Sequence, residues 1–171
     1  MMNKILPQYK KTLENGMLLL DYVGFFGPLL LFCVSIWKLS GRIPFLYGYL
    51  GLFLASTLIN KVLKMVFKEP RPEGSRTIVG EPYQGADEYG MPSGHAQSVC
   101  FSTTYLYLVT KNAVWLALEL CVVVLTLIQR WKYKNHSAMQ LAVGASVGIF
   151  GGYYGYQLTN QWIQKQIRKE E

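Results

Sequence analysis

The feature that most constrains this chain is the alternation of long apolar runs with short polar knots. MLLLDYVGFFGPLLLFCVSIW at 17–37 is followed, past Lys38 and Arg42, by IPFLYGYLGLFLASTLINKVLKMVF at 43–67. Three further runs lie at about 94–110, 113–129 (AVWLALELCVVVLTLIQ) and 137–159. Crossing a hydrocarbon layer takes roughly 20 helical residues, and lipid offers no partners to open backbone groups, so such runs span as helices. The expected fold class is all-α: an integral-membrane bundle of about five transmembrane helices with one long polar loop.

Composition agrees. Hydrophobic residues make up 51% of the 171 and charged residues only 16%, against about 25% charged in an ordinary soluble domain. That length leaves room for a single domain over 1–171. Residues 1–16, with Lys4, Lys10, Lys11 and Glu14 among apolar positions, read as an interfacial segment. No removable leader is evident in MMNKILPQYKK, so the first apolar run stays as an anchor. The net charge of +7 is dispersed among the ends of apolar runs. That excludes a nucleic-acid partner and favours the bilayer and an anionic, phosphate-bearing lipid. Cys33, Cys100 and Cys121 lie inside apolar runs without metal-ligand spacing and read as small buried hydrophobes. Nothing in the sequence points to an oligomeric state.

Residues 68–93, KEPRPEGSRTIVGEPYQGADEYGMPS, form the one long polar segment, with four prolines, four glycines and five acidic residues. It reads as an active-site loop with turns and a short strand at Thr77–Val79. In the fifth run Gly144, Gly148 and Gly152 recur every fourth residue, a spacing that lets membrane helices approach closely.

Ionisable groups inside or at the ends of spans carry the functional signal. Lys61, Lys64, Lys68 and Arg71 follow at spacings of three, four and three residues, one stripe until Pro70 stops the helix. Next, PSGH at 92–95 sets Ser93 as a helix cap and Gly94 where backbone can approach an anion, with His95 beside it as a proton donor. Last, Arg130 closes the fourth run and His136 opens the fifth, with Gln140 four residues on and placed to hold one imidazole nitrogen. Asn135-His136-Ser137 formally matches a glycosylation acceptor but abuts the membrane and is discounted. Two histidines among Lys64, Arg71 and Arg130 fit phosphoryl transfer in two steps, one histidine attacking and the other moving the proton. With no acidic or cysteine cluster and no phosphate-binding glycine loop, neither a metal nor a nucleotide cofactor is expected.

K-x6-R-P (Lys64 to Pro72), P-S-G-H (Pro92 to His95) and R-x5-H (Arg130 to His136) resemble, in order and spacing, the three motifs of the type-2 phosphatidic acid phosphatase superfamily. The resemblance covers residues 64–140 and most of the helical layout. It implies that His136 is the nucleophile forming a phosphohistidine and that His95 protonates the leaving oxygen, then activates water. Lys64, Arg71, Ser93, the Gly94 amide and Arg130 would hold the phosphate. It further implies that no metal is needed and that the site faces the extracytoplasmic or lumenal side. Two positions depart from the pattern: Gln129 stands for the usual Ser before Arg130, and Gln140 for the usual Asp. Gln140 and Gln97 resemble the dolichyl-diphosphatase branch, which favours a polyprenyl diphosphate substrate. The alternatives are a phosphatidate- or phosphatidylglycerophosphate-type phosphatase, or a non-catalytic receptor for anionic headgroups.

Overall fold

The structure is a computed structural model that describes residues 2–76, 78 and 83–170, with side chains from Leu18 to Lys169 among them. Five helices follow in order: α1 Met2–Leu39, α2 Ile43–Phe67, α3 Gly94–Thr110, α4 Ala113–Lys132 and α5 Ala138–Glu170. Among the described residues of the polar loop, Gly85–Glu88 form a 3₁₀ turn. Among the described residues there is no strand, only one bridge pairing Pro70 with Tyr89. The strand expected at Thr77–Val79 has both ends outside the described residues. So do the side chains of 1–16, although the backbone of α1 runs helical from Met2.

Local signals place the helix ends. Pro44 sits in the first turn of α2, where its missing N–H costs nothing, and Lys68 ends that helix in the left-handed region at φ 49°. Asn112 caps α4, its Oδ1 accepting from the amides of Val114 at 3.0 Å and Trp115 at 3.1 Å. Three stretches are long and apolar enough by themselves to cross a membrane: Leu18–Leu39, Ile43–Phe67 and Ala113–Lys132. The other two helices are less apolar for a reason visible in the packing. α3 is the centre of the bundle and touches the other four helices, so its buried Gln97, Ser102 and Thr103 meet protein rather than lipid.

α3 and α5 form the most intimate pair. Gly144, Gly148 and Gly152 lie against the backbone carbonyls of Ser93, Gln97 and Phe101, where an added Cβ would stand 2.4, 2.3 and 2.7 Å from the oxygens. Both series advance by four residues, so one glycine serves each turn. This fixes the height of His136, at the head of α5, relative to Ser93, at the head of α3. Gly148→Leu should force the helices apart at a backbone contact that no rotamer change can relieve. We expect a loss of about 1–3 kcal/mol or more, read as a lowered melting temperature in detergent. A melting temperature unchanged from wild type would contradict this packing.

Candidate active site

Four span ends meet at one end of the bundle: the last turn of α2, the first of α3, the last of α4 and the approach to α5. Lys64, Ser93, Arg130 and His136 are all buried there, none more than 3% exposed.

The loop takes up donors of Lys64 and Arg71, and α4 takes up a donor of Arg130. Lys64 Nζ donates to the Tyr89 carbonyl at 2.7 Å and pairs with Asp87 Oδ1 at 3.3 Å. The Arg71 guanidinium donates through Nε and Nη2 to the Asp87 carbonyl, at 2.9 and 2.8 Å, and through Nη1 to the Asn135 carbonyl at 2.7 Å. Its other face stacks on the Tyr83 ring, 3.5 Å from the centroid. Arg130 Nε donates to Gln129 Oε1 at 2.7 Å, and Nη1 lies 3.5 Å from the Tyr83 hydroxyl. Arg130 Nη2 is buried and finds no hydrogen-bond partner among the described residues. A guanidinium donor left open in a buried site is costly unless an acceptor comes to it.

His136 sits in the turn between α4 and α5, outside both helices. Its Nδ1 donates to the Gly90 carbonyl at 2.9 Å, which leaves the Nε2 lone pair facing Arg71 Nη1 at 3.2 Å. Burial and then the charges of Arg71, Lys64 and Arg130 push its pKa down to about 2, so the ring is neutral and Nε2 carries a lone pair rather than a proton. The linkage follows in sign: the unfolded chain takes up this proton below about 6.5, so the neutral ring favours folding above that pH and the contribution is lost as pH falls towards 2.

His95 projects from the first turn of α3, half-buried, its ring 5.9 Å from that of Phe25 on α1. Phe25 also faces the Arg130 guanidinium at 5.1 Å. Ser93 caps α3 through Oγ, which accepts from the Ala96 amide at 3.4 Å, and its own amide donates to the Gln140 carbonyl at 3.1 Å. Gly94 lies over Asn60, whose Oδ1 an added Cβ would meet at 3.2 Å.

One expectation is corrected. Gln140 does not hold the imidazole; the Gly90 carbonyl does. Ser137 Oγ accepts from the Gln140 amide at 3.2 Å while Gln140 Oε1 accepts from the Ser137 amide at 3.1 Å, a capping box that commits the side-chain carbonyl to the helix start. His136 precedes that cap, so helical i,i+4 geometry does not apply to it. Gln140 Nε2 instead donates to Glu69 Oε1 at 2.8 Å and the Pro70 carbonyl at 2.9 Å, and its side chain lies where a Gly90 Cβ would be. S-x-x-Q at 137–140 was the signal for this box. Asn135 is fully buried, and its amide donates to Ser75 Oγ at 3.2 Å and to the Arg76 carbonyl; it anchors the loop. Tyr83, Asp87, Gly90 and Phe25 reach the site without any sequence spacing to announce them.

A helical bundle with membrane-length apolar spans and buried basic and histidine side chains gathered at one end defines the class: an integral-membrane protein. The chain belongs to the PAP2 superfamily, which it matches over residues 45–164, and it is a phosphoric-ester hydrolase of the type-2 phosphatidic acid phosphatase kind. Among solved structures it is similar to one described as the first transmembrane PAP2-type phosphatidylglycerolphosphate phosphatase, from Bacillus subtilis. The two are 21% identical with a TM-score of 0.61, over 90% of this chain and 77% of that one. A comparison with curated protein sequences finds no match.

Proposed function

We propose that the chain acts as a single membrane domain that hydrolyses a lipid phosphate or diphosphate through a phosphohistidine on His136, with a polyprenyl diphosphate the favoured substrate. The observation that carries this reading is the convergence of Lys64, Arg71 and the unpartnered Arg130 Nη2 around the neutral Nε2 of His136. His136 Nε2 attacks phosphorus in line, and the P–O bond to the leaving group breaks. His95 gives its proton to the departing oxygen. Water, giving a proton to His95, then attacks phosphorus; the P–N bond breaks with its electron pair returning to His136 Nε2, and inorganic phosphate leaves. Lys64, Arg71, Arg130, the Ser93 hydroxyl and the Gly94 amide hold the equatorial oxygens and stabilise their charge. Among the described residues no group of three or more His, Cys, Asp or Glu stands ready to hold a metal ion, and the proposed chemistry uses none. The loop 68–93 completes the site, which faces the extracytoplasmic or lumenal side.

A second enzyme reading, a phosphatidylglycerophosphate-type phosphatase, draws on the fold shared with the Bacillus structure. Purified protein in detergent should release phosphate, in excess EDTA, from a polyprenyl diphosphate faster than from phosphatidate or phosphatidylglycerophosphate, and least from a soluble phosphomonoester. Activity abolished by EDTA would refute the histidine mechanism. No turnover on any lipid would leave a headgroup receptor as the better reading.

A further inference from the structure

A cavity of about 270 Å³ opens beside His95, its wall formed by Thr57, Asn60 and Lys61 of α2, Gly94 and His95 of α3, and Asp87. Pro28 of α1, with Gln97 and Ser98 of α3, completes its lining. In an in-line displacement the leaving oxygen departs away from the attacking nitrogen. The group that His95 protonates therefore occupies the space His95 faces, which is this cavity.

Asn60, Thr57 and Asp87 of its polar lining are committed elsewhere. The Asn60 amide donates to Gln97 Oε1 at 2.7 Å and to the Pro92 carbonyl at 3.4 Å. The Thr57 hydroxyl donates to the Phe53 carbonyl at 3.0 Å. Asp87, the one carboxylate on the wall, is drawn to Lys64. Lys61 is exposed on the cavity wall, has no carboxylate partner among the described residues, and lies three positions before Lys64 in an apolar span. An ammonium in such a place calls for an anion. An alcohol leaving group brings none; a lipid monophosphate leaving group brings one.

We propose that this cavity binds the leaving phosphate of a lipid diphosphate and that Lys61 is the residue that selects diphosphates over monophosphates. This rests on the phosphohistidine reading above. His136 attacks the terminal phosphorus, the bond from that phosphorus to the bridging oxygen breaks, and the electron pair stays on the bridging oxygen. That oxygen takes the His95 proton, and the lipid monophosphate remains beside Lys61 until it diffuses out.

The test compares farnesyl diphosphate with farnesyl monophosphate, which share one chain, on the detergent-purified full chain. Wild type should favour the diphosphate in kcat/KM. Lys61→Met should lower that preference roughly ten- to hundredfold, the range for losing a charged hydrogen bond, and Lys61→Arg should keep most of it. Independently of turnover, pyrophosphate should raise the melting temperature more than orthophosphate in wild type and not in Lys61→Met. A preference unmoved by Lys61→Met, because both substrates fall together or neither falls, overturns the subsite; a lysine that only snorkels to headgroups gives that result. If wild type labels His136 and turns over monophosphate while the preference stays put, the subsite alone is wrong. If wild type neither labels nor releases phosphate, the reaction itself is wrong, and the subsite with it.

Discussion

His136→Ala should abolish both turnover and the covalent labelling of the protein by substrate phosphate, with a rate loss of roughly 10⁴-fold or more, as for the loss of other enzymic nucleophiles. The size of the effect follows from the geometry. Among the described residues no other side chain presents a neutral nucleophile to the three cations: His95 lies beside Phe25, and Lys64 is engaged by Tyr89 and Asp87. The substitution removes a ring that is 3% exposed and held at both nitrogens, so a matched melting temperature is needed to separate chemistry from collapse. Because the pKa of His136 is pushed down to about 2 by burial and the adjacent cations, the acid limb of the pH–rate profile should not report His136. Full turnover by His136→Ala would refute the nucleophile assignment outright.

His95→Ala should give a different failure. Removing a general acid and base costs about 10²–10⁴-fold, but the two steps do not suffer equally. A phosphate leaving group departs without much help, whereas water needs a base to attack the phosphohistidine. Quenched samples of His95→Ala with a radiolabelled diphosphate should therefore accumulate labelled protein that decays slowly. With a lipid monophosphate, whose alkoxide leaves poorly, labelling itself should be slow. Equal loss of labelling and release on both substrates, or a change confined to KM, would place His95 outside the proton transfers.

The helices were legible because each is a local consequence of sequence. The second and third runs coincide with α2 and α3 to the residue, and α4 extends the fourth run only through Arg130, Trp131 and Lys132. α5 runs on to Glu170 rather than stopping near 159, since YQLTNQWIQKQIRKE keeps helical propensity after it ceases to be apolar. The glycine stripe was legible too, although its counterpart on α3, a ridge of carbonyls, has no side-chain signature. Gln140 shows the opposite case. Its spacing from His136 satisfied a helical rule, but the helix begins only after His136, and the capping box took the side chain.

Sequence by itself determined the class: apolar runs of membrane length make helices whatever surrounds them, and the order Lys64, Arg71, Ser93, His95, Arg130, His136 identifies the family. Tertiary structure decided who touches whom at the end of the bundle. It put the Gly90 carbonyl rather than Gln140 on the imidazole, brought Tyr83 against two guanidiniums and Phe25 against His95, and set Lys61 on the wall of a cavity. These are contacts between segments far apart in the chain, in a loop without periodicity, and they follow from how helices stack rather than from any spacing along one of them.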